Sequence, residues 1–239
     1  MDTERFSRQI LLPEVGQAGQ ARLLSSSALV VGCGGLGSTL LYCLCGMGVG
    51  RIGFCDGDTV TLSNLNRQFL HTERDIGRNK AQSAYEKLSA FASELKLEPM
   101  EFHLSNENAA QIVSGYDVVL LAVDSLPARL VVNRACVQVG VPLVDAGING
   151  LHGSLLTIRP SNTACLQCLY GDVLPAPVPI PSFAPVVSTI ASLEAQSAAN
   201  ILLGLSNPTD GKMLLFDGTT MTTEFVAISK NRSCPVCGQ

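Results

Sequence analysis

Along the first part of the chain, apolar residues come in short runs separated by mixed stretches of helical length. "ALVVG" (28–32) and "RIGFCD" (51–56) open the series; "EPMEFHL" (98–104), "YDVVLLAVD" (116–124) and "PLVDAG" (142–147) continue it. Short apolar runs that end in glycine or aspartate predict strands. The intervening segments 36–48, 78–95 and 126–139 have the length and mixed faces of helices. This alternation predicts βαβ units, and so a mostly parallel sheet with helices on both sides. After about residue 150 the pattern changes. "HGSLLTIRP" (152–160), "MLLFDG" (213–218) and "TTEFVAIS" (222–229) predict antiparallel strands, with one helix over 186–204. The parallel sheet is therefore expected to continue as a mixed sheet.

Composition narrows the class. Hydrophobic residues make up 46% of the 239 positions and charged residues 15%, which allows a well-filled core and argues against disorder. A net charge of −4 argues against nucleic acid as the main partner. The N-terminus "MDTERFSRQILLPEVG" has no apolar core of a signal peptide, and glycines interrupt the longest apolar stretches. A cytoplasmic protein without a membrane span is expected.

The nine cysteines fall into two groups. Cys33, Cys43, Cys45, Cys55 and Cys136 stand singly in apolar surroundings, where a thiol behaves as a small hydrophobe. The other four form "CLQC" (Cys165, Cys168) and "CPVC" (Cys234, Cys237). Two such pairs suit a tetrahedral, structural zinc ion. A redox role for either pair is disfavoured, because neither opens a helix after a strand.

Two motifs carry the chemistry. "VVGCGGLGS" contains G-x-G-x-x-G as Gly32, Gly34 and Gly37, after a strand and before a helix. Such a turn lets backbone N–H groups approach phosphates at a helix N-terminus. Asp56 closes the next strand, where a carboxylate can bind ribose hydroxyls. Alone, this pattern suits NAD. The loop that follows, "DGDTVTLSNLNRQFLHTERDIGRNK" (56–80), adds Arg67 and Lys80 near the expected phosphates. Hydride transfer has no need of them. Cleaving ATP between its α and β phosphates does, since charge builds on the departing pyrophosphate. Asp124, ending the strand 116–124, offers a magnesium ligand at the sheet edge where ligands bind.

The order of "RFSRQILLPEVGQAGQARL", "GCGGLGS", "DGDTVTLSNLNRQFLH", "IGRNKAQSA" and "AVDS" resembles the MoeB/ThiF/HesA family of ubiquitin-activating-like adenylyltransferases. The resemblance implies a Rossmann-like α/β fold, its mostly parallel sheet extended by antiparallel strands, with a four-cysteine zinc site. It implies ATP- and Mg2+-dependent adenylation of the C-terminal glycine of a ubiquitin-like sulfur carrier ending in Gly-Gly. By motif, Gly35 joins the glycine turn at the nucleotide, and Asp56 holds the ribose. Ser63, Asn64, Leu65, Asn66, Arg67 and Gln68 line the ATP site, and Arg67 and Lys80 contact phosphates. Asp124 and Ser125 lie by the metal and α-phosphate. Arg8 matches an arginine finger donated across a homodimer. The expected organisation is a single domain, 1–239: a helical arm (1–27), a nucleotide-binding core (28–148), and a mixed-sheet extension (149–239) with a crossover loop (169–185) and the zinc knuckles.

One departure stands out. Many relatives carry a cysteine in that crossover loop, but this chain has none between Cys168 and Cys234. Ser182 is a far weaker nucleophile than a thiolate. The expectation is therefore a proline-rich strap that guides the carrier's tail, and adenylation without a covalent carrier intermediate. No appended sulfurtransferase domain is expected either. His71 is expected to serve local packing or as a hydrogen-bond partner, with His103 and His152 scattered. Glu194 is expected to line a dimer interface or face solvent. An NAD-dependent oxidoreductase and a non-catalytic module of the same fold are the competing readings.

Overall fold

The structure is a computed structural model and describes residues 3–171 and 179–238. The N-terminal arm comprises a 3-10 turn, α1 (Ser7–Ile10) and α2 (Gly16–Ser25). The parallel half follows: β1 (Ser27–Val31), α3 (Gly35–Met47), β2 (Arg51–Cys55), α4 (Lys80–Phe91), β3 (Lys96–Met100), α5 (Ala109–Val113), β4 (Val118–Leu121), α6 (Leu126–Val139) and β5 (Leu143–Asn149). β6 (His152–Ile158), α7 (Leu166–Tyr170), α8 (Ala184–Leu203), β7 (Lys212–Asp217) and β8 (Thr222–Ala227) complete the chain.

These strands form one sheet in the order β3-β2-β1-β4-β5-β6-β7-β8. The first five run parallel, and β5 through β8 pair antiparallel. Alternation along the strands divides the core between the two faces. Val30, Ile52, Phe54 and Leu120 pack under α3, α4 and α8, whereas Leu29, Val31, Val119 and Leu121 pack under α5, α6 and α7. α8 is long and apolar enough to span a membrane, but it is a core helix here, and Val187, Ile190, Ala191 and Ala198 are buried in it.

Two expectations are corrected. The strand expected over 98–104 runs over Lys96–Met100 instead. Its Pro99, which has no N–H, is tolerated because the strand lies at the sheet edge and pairs only with β2. Glu194 neither faces solvent nor lines an exposed surface: it is fully buried inside α8. The short α5 and α7 were not anticipated, because five residues are too few to show a helical period.

β1 is flanked by β2 on one side and β4 on the other, so the chain reverses its winding direction there. Open α/β sheets hold their ligands in the crevice beyond the carboxyl ends of strands at such a point. The glycine turn leaves β1 at this crevice, and the segment 122–125 leaves β4 beside it.

Candidate active site

The glycine turn is packed to its steric limit. Gly32 has φ +104°, and a Cβ there would lie 2.6 Å from the Ala122 carbonyl oxygen. A Cβ on Gly37 would lie 2.1 Å from the Gly32 oxygen. These two glycines therefore let α3 press onto the turn and the turn onto β4. Gly34 differs: its nearest neighbour would be the Gln68 side-chain nitrogen at 3.4 Å, an ordinary contact. Gly35 begins α3 and abuts Val187 and Arg67. Asp56 fastens the turn, its carboxylate accepting from the backbone N–H of Cys33 (2.8 Å) and of Asp58 (2.9 Å). Buried His71 braces it from behind. Its Nε2 lies 2.9 Å from the Cys33 carbonyl, which fixes that nitrogen as the donor, so Nδ1 accepts from Ser83 at 2.9 Å. Burial lowers the ring's pKa below its usual 6.5 and keeps it neutral.

The polar loop folds into short turns. Asn64 and Thr61 form a reciprocal capping box, which makes the segment a compact bracket. Arg67 is held to this bracket, donating to the Ser63 carbonyl (3.0 Å) and the Asn66 side-chain oxygen (2.9 Å). Asn79 caps α4 and ties it to the Asp56 carbonyl. This places Lys80, 7% exposed, inside the crevice with its ammonium 3.1 Å from Asp58. Burial tends to raise the Asp58 pKa, but Lys80 and then His103 outweigh it and hold the carboxyl low.

On the opposite wall, Ser125 caps α6. Exposed Asp124 has no hydrogen-bond or ion-pair partner among the described residues. Beneath it lies a buried charged group. Arg129 donates from Nε to the Val123 carbonyl (2.9 Å) and from Nη2 to the Ala146 carbonyl (2.6 Å), and its Nη1 lies 3.4 Å from Asp145. Burial raises the Asp145 pKa and the Arg129 charge counters it. Burial raises that of Glu194 well above the ordinary carboxyl range, with Asp145 adding to it, so Glu194 is neutral. Neither Glu194 oxygen makes a hydrogen bond of ordinary geometry.

Together these walls enclose a cavity of about 450 Å3, within the usual range for small-molecule sites. Gly32, Gly34, Gly35, Asp56, Arg67, Gln68, Lys80, Asp124 and Ser125 line it. The other expected residues stand outside its lining. Gly37 packs behind the turn, Ser63, Asn64, Leu65 and Asn66 form the bracket under Arg67, and exposed Arg8 sits in the N-terminal arm. Arg129, Asp58, His103 and Ser182 line the cavity without having been singled out as ligands. Arg129 was legible in one respect: four residues after Ser125, it falls on the same face of α6.

Outside the cavity lining, the sulfur atoms of Cys165, Cys168, Cys234 and Cys237 all lie within 4.8 Å of one another. Cys165 and Cys234 are 3.8 Å apart, and Cys168 and Cys237 3.4 Å. Tetrahedral zinc with bonds of about 2.3 Å needs sulfurs just under ~4 Å apart, so the donor set fits that ion. Of the single cysteines, Cys33, Cys45, Cys55 and Cys136 are buried and Cys43 partly so. Of the crossover loop expected at 169–185, residues 172–178 lie outside the described residues, and its ends are corrected: Leu169 and Tyr170 belong to α7, and α8 begins at Ala184.

The ThiF family model matches residues 6–236. The chain is similar to the SAMP-activating enzyme E1 of Haloferax volcanii, 37% identical over 242 residues, covering 99% of this chain and 89% of the relative. It is 37% identical over 248 residues to the sulfur carrier protein adenylyltransferase of Thermus thermophilus, covering 99% and 91%. It is 36% identical over 245 residues to the sulfur carrier protein ThiS adenylyltransferase of Escherichia coli, covering 99% and 96%. Its fold matches the crystal structure of E. coli MccB with MccA-N7isoASN at a TM-score of 0.88, with 22% identity, covering 100% of this chain and 75% of that one.

Proposed function

The chain belongs to the ThiF family, and from that premise we propose that it adenylates the C-terminal glycine carboxylate of a small ubiquitin-like sulfur carrier protein, using ATP. The observation that carries this reading is the convergence of Arg67, Lys80 and Asp124, the last without a partner among the described residues, on one cavity with the glycine turn. The relatives' names, sulfur carrier protein adenylyltransferase and ThiS adenylyltransferase, agree with it. An NAD-dependent oxidoreductase is not favoured, because hydride transfer has no use for two cations and a free carboxylate around a phosphate site. The whole chain acts as one domain in this reading, and it works in the cytoplasm.

The chemistry asks little of the protein beyond placement and charge. The carrier's carboxylate oxygen bonds to the α-phosphorus, the bond to the bridging oxygen breaks, and pyrophosphate leaves with that electron pair. The nucleophile is already anionic at neutral pH, so no protein base is needed. The backbone of Gly34 and Gly35 approaches the phosphates at the start of α3, and Asp56 orients the ribose. Arg67 and Lys80 offset charge on the departing pyrophosphate. Lys80 must leave Asp58 to do so. Asp124, with Ser125 beside it, would hold Mg2+, which supplies further neutralisation. Arg8 would reach a partner's site in a homodimer; highly exposed Leu11 and Leu12 next to it offer an apolar contact. The four clustered thiols would hold Zn2+ as a structural clip between α7 and the C-terminal segment.

No covalent carrier intermediate is part of this scheme. Burial raises the pKa of Cys33, and those of Cys45 and Cys55 to about 12, so none presents a ready thiolate. ATP–pyrophosphate exchange that appears only with a carrier ending in Gly-Gly supports the proposal. Exchange without any carrier, or NAD binding in place of ATP, refutes it.

A further inference from the structure

Arg129 makes an unusual set of contacts for a residue that lines a nucleotide-sized cavity. It is 8% exposed, and its three nitrogen atoms face three different backbone or carboxylate groups. One of these is the carbonyl of Val123, the residue before Asp124. The other two lie on β5, at Asp145 and Ala146. The guanidinium therefore spans from the rigid middle of the sheet to the loop that carries Asp124. Gly147 lies beside it: a Cβ there would lie 2.8 Å from the Ser154 hydroxyl oxygen and 3.3 Å from Nη2. Asp145 is 2% exposed and Glu194 0%, so the guanidinium sits beside two buried carboxyl groups.

Burying a guanidinium is costly unless it is fully paired. Few other contacts hold Asp124: it has no partner of its own among the described residues, and it follows a four-residue strand. We propose that Arg129 is a positioning residue that sets Asp124 for its divalent cation by clamping the Val123 carbonyl to β5. This rests on the reading of Asp124 as the metal-facing carboxylate. Removing such an outer partner of a metal ligand weakens metal affinity by about 10–100-fold.

The test is a double-mutant cycle read by binding rather than turnover. Mn2+·ATP affinity is measured for the wild type, Arg129→Lys, Asp124→Asn and the double variant, with far-UV circular dichroism as a folding control. Lysine keeps the charge but cannot reach all three groups. The clamp predicts a loss on the order of 10–100-fold for R129K, and no further loss when R129K is added to D124N. Wild-type affinity in R129K, or losses that simply add, would overturn it. If R129K fails to fold, the charge-balanced pair Arg129→Gln with Asp145→Asn enters the same cycle and must give the same non-additive pattern. Carrier-dependent exchange by the wild type is scored separately. Its absence would defeat the proposed function, whereas the binding cycle alone decides the clamp.

Discussion

Two glycines within α3, Gly37 and Gly46, should respond in opposite ways to the same substitution. At Gly46 an added methyl group meets nothing within 4 Å, so Gly46→Ala gains only the helical preference of alanine, about 0.5–1 kcal/mol. At Gly37 the same methyl would lie 2.1 Å from the Gly32 carbonyl oxygen and 3.0 Å from its carbon. Neither atom can swing aside, since both belong to a backbone held by the Gly32 N–H bond to Cys55 (2.8 Å) and pressed against Ala122. Relief must come from moving α3 away from the sheet, an overpacking cost of about 3 kcal/mol at the upper end of the usual range. After the helical gain, Gly37→Ala should lose about 2 kcal/mol net. For a chain of this size that corresponds to a melting point roughly 4–8 °C lower, against a rise of a few degrees for Gly46→Ala. Urea midpoints of the two variants, measured side by side, decide the matter. If Gly37→Ala is as stable as Gly46→Ala, the claim that the third glycine of the motif serves packing is wrong.

Further outcomes follow from the same geometry. Arg67→Ala should cut carrier-dependent pyrophosphate exchange on the order of 10²–10³-fold, while leaving stability within about 0.5 kcal/mol, as expected for a partly exposed side chain. Circular dichroism and exchange assays on one preparation check both halves. Stability should fall as pH drops below 6.5, because the unfolded chain then binds a proton that buried His71 refuses; the contribution is complete above 6.5 and lost on acidification, by up to about 1.4 kcal/mol per pH unit. His71→Gln should flatten that window in urea titrations. It should leave intact the later acid loss from Glu98, whose pKa is lowered to about 2 chiefly by its hydrogen bond from Arg51. Purified protein should contain about one zinc per chain, and chelation should lower its melting point; elemental analysis showing no metal would leave the thiol cluster without its proposed role. Mixing enzyme, ATP and carrier and then running non-reducing electrophoresis should give no thiol-labile adduct.

The sheet was legible in the sequence because strands such as "ALVVG" and "DVVLLAVD" are buried on both faces and so read as unbroken apolar runs. The glycine turn, Asp56, Lys80 and Asp124 were legible as cavity-lining positions for a similar reason: each stands at or just beyond a strand or helix end. What stayed hidden depends on contacts across the sheet. Glu194 looked like one polar position in an apolar helix, and only the packing of α8 over β4 and β5 shows that it sits by Arg129 and Asp145 as a neutral acid. Ser63 to Asn66 read as ATP-site residues by motif; what the sequence did not reveal is that they form the turn that holds Arg67. β3 begins two residues earlier than expected and ends at Met100 because its pairing at the sheet edge with β2 alone sets its bounds, and the sequence does not reveal that position.

The four sulfurs near the C-terminus have a practical consequence for anyone handling the protein. Asn133, one turn along α6 from Arg129, accepts the backbone N–H of Leu166 at 3.0 Å, and Leu166 stands between the first two of those thiols. Damage in that corner therefore has a short mechanical route to the nucleotide cleft. Were those thiols cross-linked by air in place of the proposed metal, the first residue to feel it beyond α7 would be Asn133, so the reductant history of each batch belongs beside every measurement.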